Sequence, residues 1–179
     1  MSTRLVILGL LRDRQLYGYE IKLLIEDHMA DWTNIAFGSI YFAIQKLAEE
    51  GSIEKVGTER EGKRPSRSVY RITPAGRKEF LRQLRQVWGE YDRQFFPFDV
   101  GLFFMDALPR EEIIDHLRRR IGHVEGVLEY LDEHQAEQTA KGDVPALAQA
   151  IFDHTRLHLK AEHAWTHQVL SQVEAGAYP

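Results

Sequence analysis

Between Phe37 and Arg77 the order of residue types leaves few folds open. Phe37-Gly38-Ser39-Ile40-Tyr41 starts an amphipathic segment that runs to Glu50 and meets Gly51. Ile40, Ile44 and Leu47 share one face of it, the spacing of a helix that buries one side. Gly51 is the residue type that stops helices, because a left-handed backbone costs it little. Ile53 to Val56 and Arg67 to Ile72 then read as short strands around a charged loop from Gly57 to Ser66. Thr73-Pro74 begins another helix, carried to Tyr91: threonine can cap it, and proline in the first turn gives up no needed hydrogen bond. Helix, glycine stop, strand, basic hairpin tip and return strand are the parts of a winged helix-turn-helix, in which one helix enters a DNA major groove.

Upstream, Thr3 to Arg12 predicts a first helix. Its apolar run contains Gly9, ends in Arg12-Asp13-Arg14 and has no small-residue cleavage site, so it reads as a buried helix and not a leader. Gly18 opens a second helix with Ile21, Leu24, Ile25, His28 and Met29 on one stripe. Three short motifs follow one another in order: Gly18-Tyr19-Glu20, Gly38-Ser39-Ile40-Tyr41 and Tyr70-Arg71-Ile72-Thr73-Pro74-Ala75-Gly76. Together they resemble the PadR family of bacterial transcriptional regulators, whose members carry Gly-Tyr-Glu, Gly-Ser-(Leu/Ile)-Tyr and Tyr-Arg-(Ile/Leu)-Thr-x-x-Gly at these places. Phe42 and Ser52 depart from the pattern, where many members have proline and leucine. The resemblance implies a regulator of transcription whose C-terminal helices dimerise.

From residue 94 the chain changes character. Five phenylalanines crowd around Pro97, Gly101 and Pro109, which predicts a junction with at most a short helix. A long helix begins at Pro109-Arg110, with Ile114, Leu117, Ile121, Val124, Leu128 and Leu131 at steps of three and four, the seam of a coiled-coil-like pair. Lys141 to Pro145 predicts a turn, with Asp143 as cap. Leu147, Ile151, His154, His158, Ala161 and Trp165 continue the spacing on a last helix. The expected fold is mainly α with a small β-hairpin wing. Residues 1–93 form a winged-helix DNA-binding domain, including a linking helix 74–91, and residues 94–179 a helical hairpin that dimerises.

Charge divides along the same line. Residues 1–93 carry 16 Lys and Arg against 13 Asp and Glu, whereas residues 94–179 carry 7 against 14. Lys55 to Arg85 alone holds ten basic residues and three acidic ones. DNA responds to such a patch within a screening length of about 8–10 Å, so a net charge of −4 does not argue against it. No apolar run approaches the ~20 residues of a membrane span. The absence of cysteine excludes disulfides, thiolate metal sites and cysteine nucleophiles, and fits a cytoplasmic protein.

Donors able to reach bases and phosphates define the candidate DNA contacts: Ser39, Tyr41, Gln45 and Lys46 on the third helix, and Arg60, Lys63, Arg64 and Arg67 at the wing. Trp88, Tyr91, Phe95, Phe98, His158 and Trp165 are the candidate walls of a site for an aromatic small-molecule effector, since apolar walls with a few polar groups are what such sites require. His154/His158 and His163/His167 are pairs at metal-ligating spacing, with Glu162 beside them in sequence and His123 on the preceding long helix, but a site needs three or four convergent ligands and none is assigned. No glycine-rich phosphate loop, Gly-x-Ser-x-Gly or carboxylate pair stands out, so no catalytic residue and no cofactor is expected. The partners expected are double-stranded DNA, a second copy of the chain and the effector, in an effector-responsive repressor of a palindromic operator. A winged-helix module binding ligands or proteins without specific DNA binding is the alternative, against which the basic wing argues.

Overall fold

The computed structural model of the chain describes residues 3–29, 33–59, 67–91, 93–142 and 145–178. Two compact units divide it, residues 1–93 and 94–179.

The N-terminal unit contains α1 (Thr3–Leu10), β1 (Leu16–Tyr17), α2 (Gly18–Met29), α3 (Phe37–Glu49), β2 (Ile53–Glu59), β3 (Arg67–Ile72) and α4 (Pro74–Gly89). Ile7, Leu8 and Leu11, Ile21 and Ile25, Ile40, Ile44 and Leu47, and Ile53 and Ile72 form one buried core. Each fully buried aliphatic side chain of this kind contributes about 1.5–3 kcal/mol of transfer free energy. The sheet has the order β1-β3-β2, antiparallel throughout. Leu16 pairs with Tyr70 and Tyr17 with Val69, a two-residue strand too short to leave a pattern in the sequence. β2 continues past Val56 to Glu59, with a register shift between Lys55 and Gly57 that interrupts the alternation.

One junction locks this unit. The Thr73 hydroxyl donates to the carbonyls of Gly51 (2.7 Å) and Ser52 (3.1 Å) and accepts from the Gly76 amide (3.1 Å), while the Thr73 amide donates to the Ser52 carbonyl. A single threonine therefore caps α4 and ties its start to the turn after α3. The approach is so close that a Cβ on Gly76 would lie 1.9 Å from the Ser52 oxygen. Gly51 takes φ +70°, as a helix-ending glycine does.

The C-terminal unit contains α5 (Pro97–Phe103), a 3-10 turn (Met105–Ala107), α6 (Arg110–Lys141) and α7 (Ala146–Glu174). On α6 the expected seam is inward: Leu117, Ile121, Val124 and Leu131 are buried, with Ile114 and Leu128 half-buried and Ile113 added. The seam expected on α7 turns inward only in part: Ile151 is half-buried and Trp165 packs against the core of the unit. Leu147 is 81% exposed and His154, His158 and Ala161 face outward, whereas Leu159, Glu162, Thr166, Val169 and Val173 face α6 or α5. For the rest, the inward stripe is displaced by one residue, about 100° around a helix. Apolar residues occur on both sides of α7, so spacing alone could not choose between them. Val169 and Val173 join Met105, Ile113 and Leu117 in the unit's own core. Polar ties bind the two long helices along their length: Arg118 to Glu174, Arg120 to Glu162, Glu125 to His163, Asp132 to Arg156 and Gln135 to Gln149. Asp143 lies outside the described residues, and α7 starts after Pro145 without a side-chain cap. No described helix is long and apolar enough to cross a membrane.

Candidate nucleic-acid interface and effector cleft

α3 is two-sided. Ile40, Ala43, Ile44 and Leu47 are buried, while Tyr41, Phe42, Gln45 and Glu49 face out, Tyr41 52% and Phe42 63% exposed. Phe42 thus presents its ring to solvent beside Lys46, whose ammonium lies 5.9 Å from the ring centre. Ser39 sits at the edge of this face. Its hydroxyl donates to the Ala36 carbonyl at 2.6 Å, so it also closes the first turn of its own helix. Gln45 and Lys46 are both held by one carboxylate: Glu49 accepts from Gln45 Nε2 at 2.9 Å and from Lys46 Nζ at 2.7 Å. The Lys46 contact, followed by that of Gln45, holds the Glu49 carboxyl below its ordinary pKa, and the same contact raises the lysine's. At the other end of the helix, Glu50 pairs with Arg4 of α1.

The sequence motifs converge beside this face. Tyr17, Tyr19, Tyr41, Gln45, Lys55 and Tyr70 line an open groove between α3 and the sheet. Glu20 accepts from the Tyr17 amide at 2.8 Å, which closes the start of α2. A Cβ on Gly18 would meet Tyr70 and Tyr41 at 3.6 and 3.7 Å, ordinary contact, so space alone does not demand glycine there. Gly76 is the opposite case. On the wing, Arg71 is paired across the strands with Glu54 at 2.8 Å. Arg60, Lys63 and Arg64 lie outside the described residues, as does the side chain of Arg67, whose backbone opens β3 opposite Glu59.

The candidate effector residues are divided between the two units. Trp88 and Tyr91 belong to the N-terminal unit and are 85% and 91% exposed. In the C-terminal unit, Phe98, His158 and Trp165 line one cleft of about 440 Å³, together with Phe96, Asp99 and Glu162. Phe95 is not among its walls and is largely exposed. Phe98 packs edge-on against Trp165, centroids 5.4 Å apart, and the Arg120 guanidinium lies 4.3 Å from the centre of the Phe98 ring. Arg120 is in turn fixed by Glu162 at 2.9 Å. Sequence reasoning placed the aromatic junction against the last helix but missed Asp99 and Arg120, since nothing in linear spacing links α6 to that junction.

A two-sided third helix, a capped fourth helix and a three-stranded sheet carrying a basic hairpin define the winged helix-turn-helix class. Residues 7–82 match the transcriptional regulator PadR-like family. Over that stretch the sequence is that of a PadR-like transcriptional regulator, and full-length proteins of that description resemble the whole chain. The negative transcriptional regulator PadR of Bacillus subtilis is 22% identical over 174 residues, covering 94% of this chain and 95% of that protein. The PadR-like regulator BC1756 of Bacillus cereus superposes with a TM-score of 0.73 at 26% identity, over 98% of this chain and 99% of its own. B. subtilis PadR in complex with operator DNA gives 0.79 at 21% identity, over 95% and 98% of the two chains. The same protein in complex with p-coumaric acid gives 0.71 at 20% over 96% and 94%. At these identities the B. subtilis structures show a shared fold.

Proposed function

We propose that this regulator is a homodimeric repressor, released from a palindromic operator when an aromatic small molecule binds its C-terminal unit. The outward face of α3 carries the reading: Tyr41, Gln45 and Lys46 are donors standing on a helix whose other side is fully buried. Such a helix can sit in a major groove while the wing holds flanking phosphates. A protein of the same fold, B. subtilis PadR, is a negative regulator that has been seen with operator DNA and with p-coumaric acid. The face that α7 turns outward, with Leu147 and Leu157 at 81% and 68% exposure, supports a second copy of the chain as its cover.

Fluorescence anisotropy on DNA from upstream of the gene tests this reading. Two chains are expected per two-fold symmetric site, with half-site centres ~10 bp apart or a multiple of it. A chain truncated after residue 93 is expected to sediment as a monomer and to bind that site much more weakly. Binding with equal affinity to unrelated sequences, or an undiminished dimer after truncation, contradicts the proposal.

The cleft walled by Phe96, Phe98 and Trp165 is the proposed effector site. Stacking on these rings supplies affinity, and His158 can supply a hydrogen bond. Ligand binding releases DNA only if the released state binds it more tightly. Titration with hydroxylated aromatic acids and aromatic cations is therefore expected to quench tryptophan emission and to lower operator affinity over one concentration range. Trp165→Ala is expected to displace both curves together. Quenching that leaves operator affinity unaltered would reduce these rings to core packing.

A further inference from the structure

Glu125 of α6 meets His163 and His167 of α7 on the flank of the helical hairpin. His163 Nε2 lies 2.9 Å from Glu125 Oε1, and one ligand atom from each of the three residues lies within 4.8 Å of the others. The two imidazoles stand one turn apart on α7, centroids 4.6 Å apart and planes crossing at 71°. The hydrogen bond joins Glu125 to His163, and His167 brings a second imidazole to the same place, edge-on to the first. We propose that these three side chains bind a divalent transition metal ion, Zn²⁺ by its chemistry, which clasps α6 to α7.

Donor type and geometry both point to this class of ion. Two imidazoles and one carboxylate suit Zn²⁺, Co²⁺ or Ni²⁺, whereas Ca²⁺ and Mg²⁺ take sets of oxygen ligands. Zinc bonds of about 2.0–2.2 Å set neighbouring donors ~3.3 Å apart, which rotation of exposed side chains reaches from the present separations. Three protein ligands leave a fourth position for water, and Glu125 and His167 are exposed, so the ion has a path of entry. Glu162, near the same histidines in sequence, is occupied by Arg120. The second pair, His154 and His158, has its Nε2 atoms 3.1 Å apart, but no third ligand joins it among the described residues. That pair is the natural control, equal in spacing and lacking the carboxylate.

Titration of the full chain, free of tags and stripped with a chelator, with Zn²⁺ alone in a calorimeter tests the proposal. One ion per chain is expected, bound at micromolar or lower concentration, with a rise in the unfolding temperature. His163→Gln and His167→Gln are each expected to weaken binding more than about tenfold, while the His154→Gln/His158→Gln double variant keeps it. Co²⁺ in place of Zn²⁺ is expected to give the intense visible bands of a four-coordinate site. All four residues are partly or fully exposed, and circular dichroism shows that each variant is folded before it is compared. No binding below about 100 μM, binding lost only in the His154/His158 variant, or equal binding in every variant overturns it.

Discussion

Gly76→Ala is expected to unfold the N-terminal unit at much lower denaturant concentration than the parent chain. A Cβ there would lie 1.9 Å from the Ser52 oxygen and 2.9 Å from the Ile72 side chain. The oxygen is backbone, and it already accepts from the Thr73 amide and hydroxyl, so it cannot swing aside. The helix start must move out, and the move breaks the cap on α4 as well as the packing of Ile72. Overpacking costs about 1–3 kcal/mol and more where backbone must shift, so a loss of ~3 kcal/mol or greater is expected. Hydrogen exchange of amides in residues 7–82 localises the effect. Gly38→Ala is the comparison: nothing lies within 4 Å of its added Cβ, and within a helix alanine is favoured over glycine by about 1 kcal/mol. If both variants unfold where the parent does, the close approach of α4 to the turn after α3 is not present in solution.

On the operator, the Lys63→Ala/Arg64→Ala variant is expected to bind about a thousandfold more weakly at 0.15 M salt. Two contacts on each of two wings make four phosphate contacts, each contributing ~0.9 to the slope of log affinity against log salt. That slope is expected to fall by about 3 to 4, with the loss shared by cognate and unrelated sequences. Gln45→Ala should behave differently, changing base preference while the slope stays where it was. A double wing variant with unaltered slope removes the wing from the DNA.

What could be read from the sequence followed residues whose roles are local. Thr73-Pro74 announced the start of α4, Gly51 the end of α3, and Ile40, Ile44 and Leu47 the buried side of α3, because caps, stops and helical spacing act within a few residues. The inward side of α6 was legible for the same reason. On α7 the apolar residues lie on both faces, and only the packing of Val169 and Val173 against Ile113 and Leu117 decides which turns in. Long-range partners left no trace in spacing. Nothing in the linear order joins Glu125 to His163, 38 residues on, or Arg120 to the ring of Phe98. The motif glycine at 76 was visible as a letter, but its cause, the oxygen of Ser52 24 residues earlier, needed three dimensions.

The carboxylate of Glu49 gives the third helix a property that a purely basic surface would lack. In the free protein it accepts one hydrogen bond from Gln45 and one from Lys46, so on the proposed reading it competes with DNA for those two side chains. A correct sequence can compensate for that loss with two well-placed acceptors, and a cytosine amino group could even engage Glu49 itself. A wrong sequence offers phosphate charge alone, and meets a carboxylate that repels it. Selectivity is a difference between two affinities, and lowering the unwanted one is as effective as raising the wanted one. With α3 as the proposed reading helix, Glu49 would make the surface fastidious: the chain would travel over bulk DNA without being retained, and keep its grip for the few places where the bases answer.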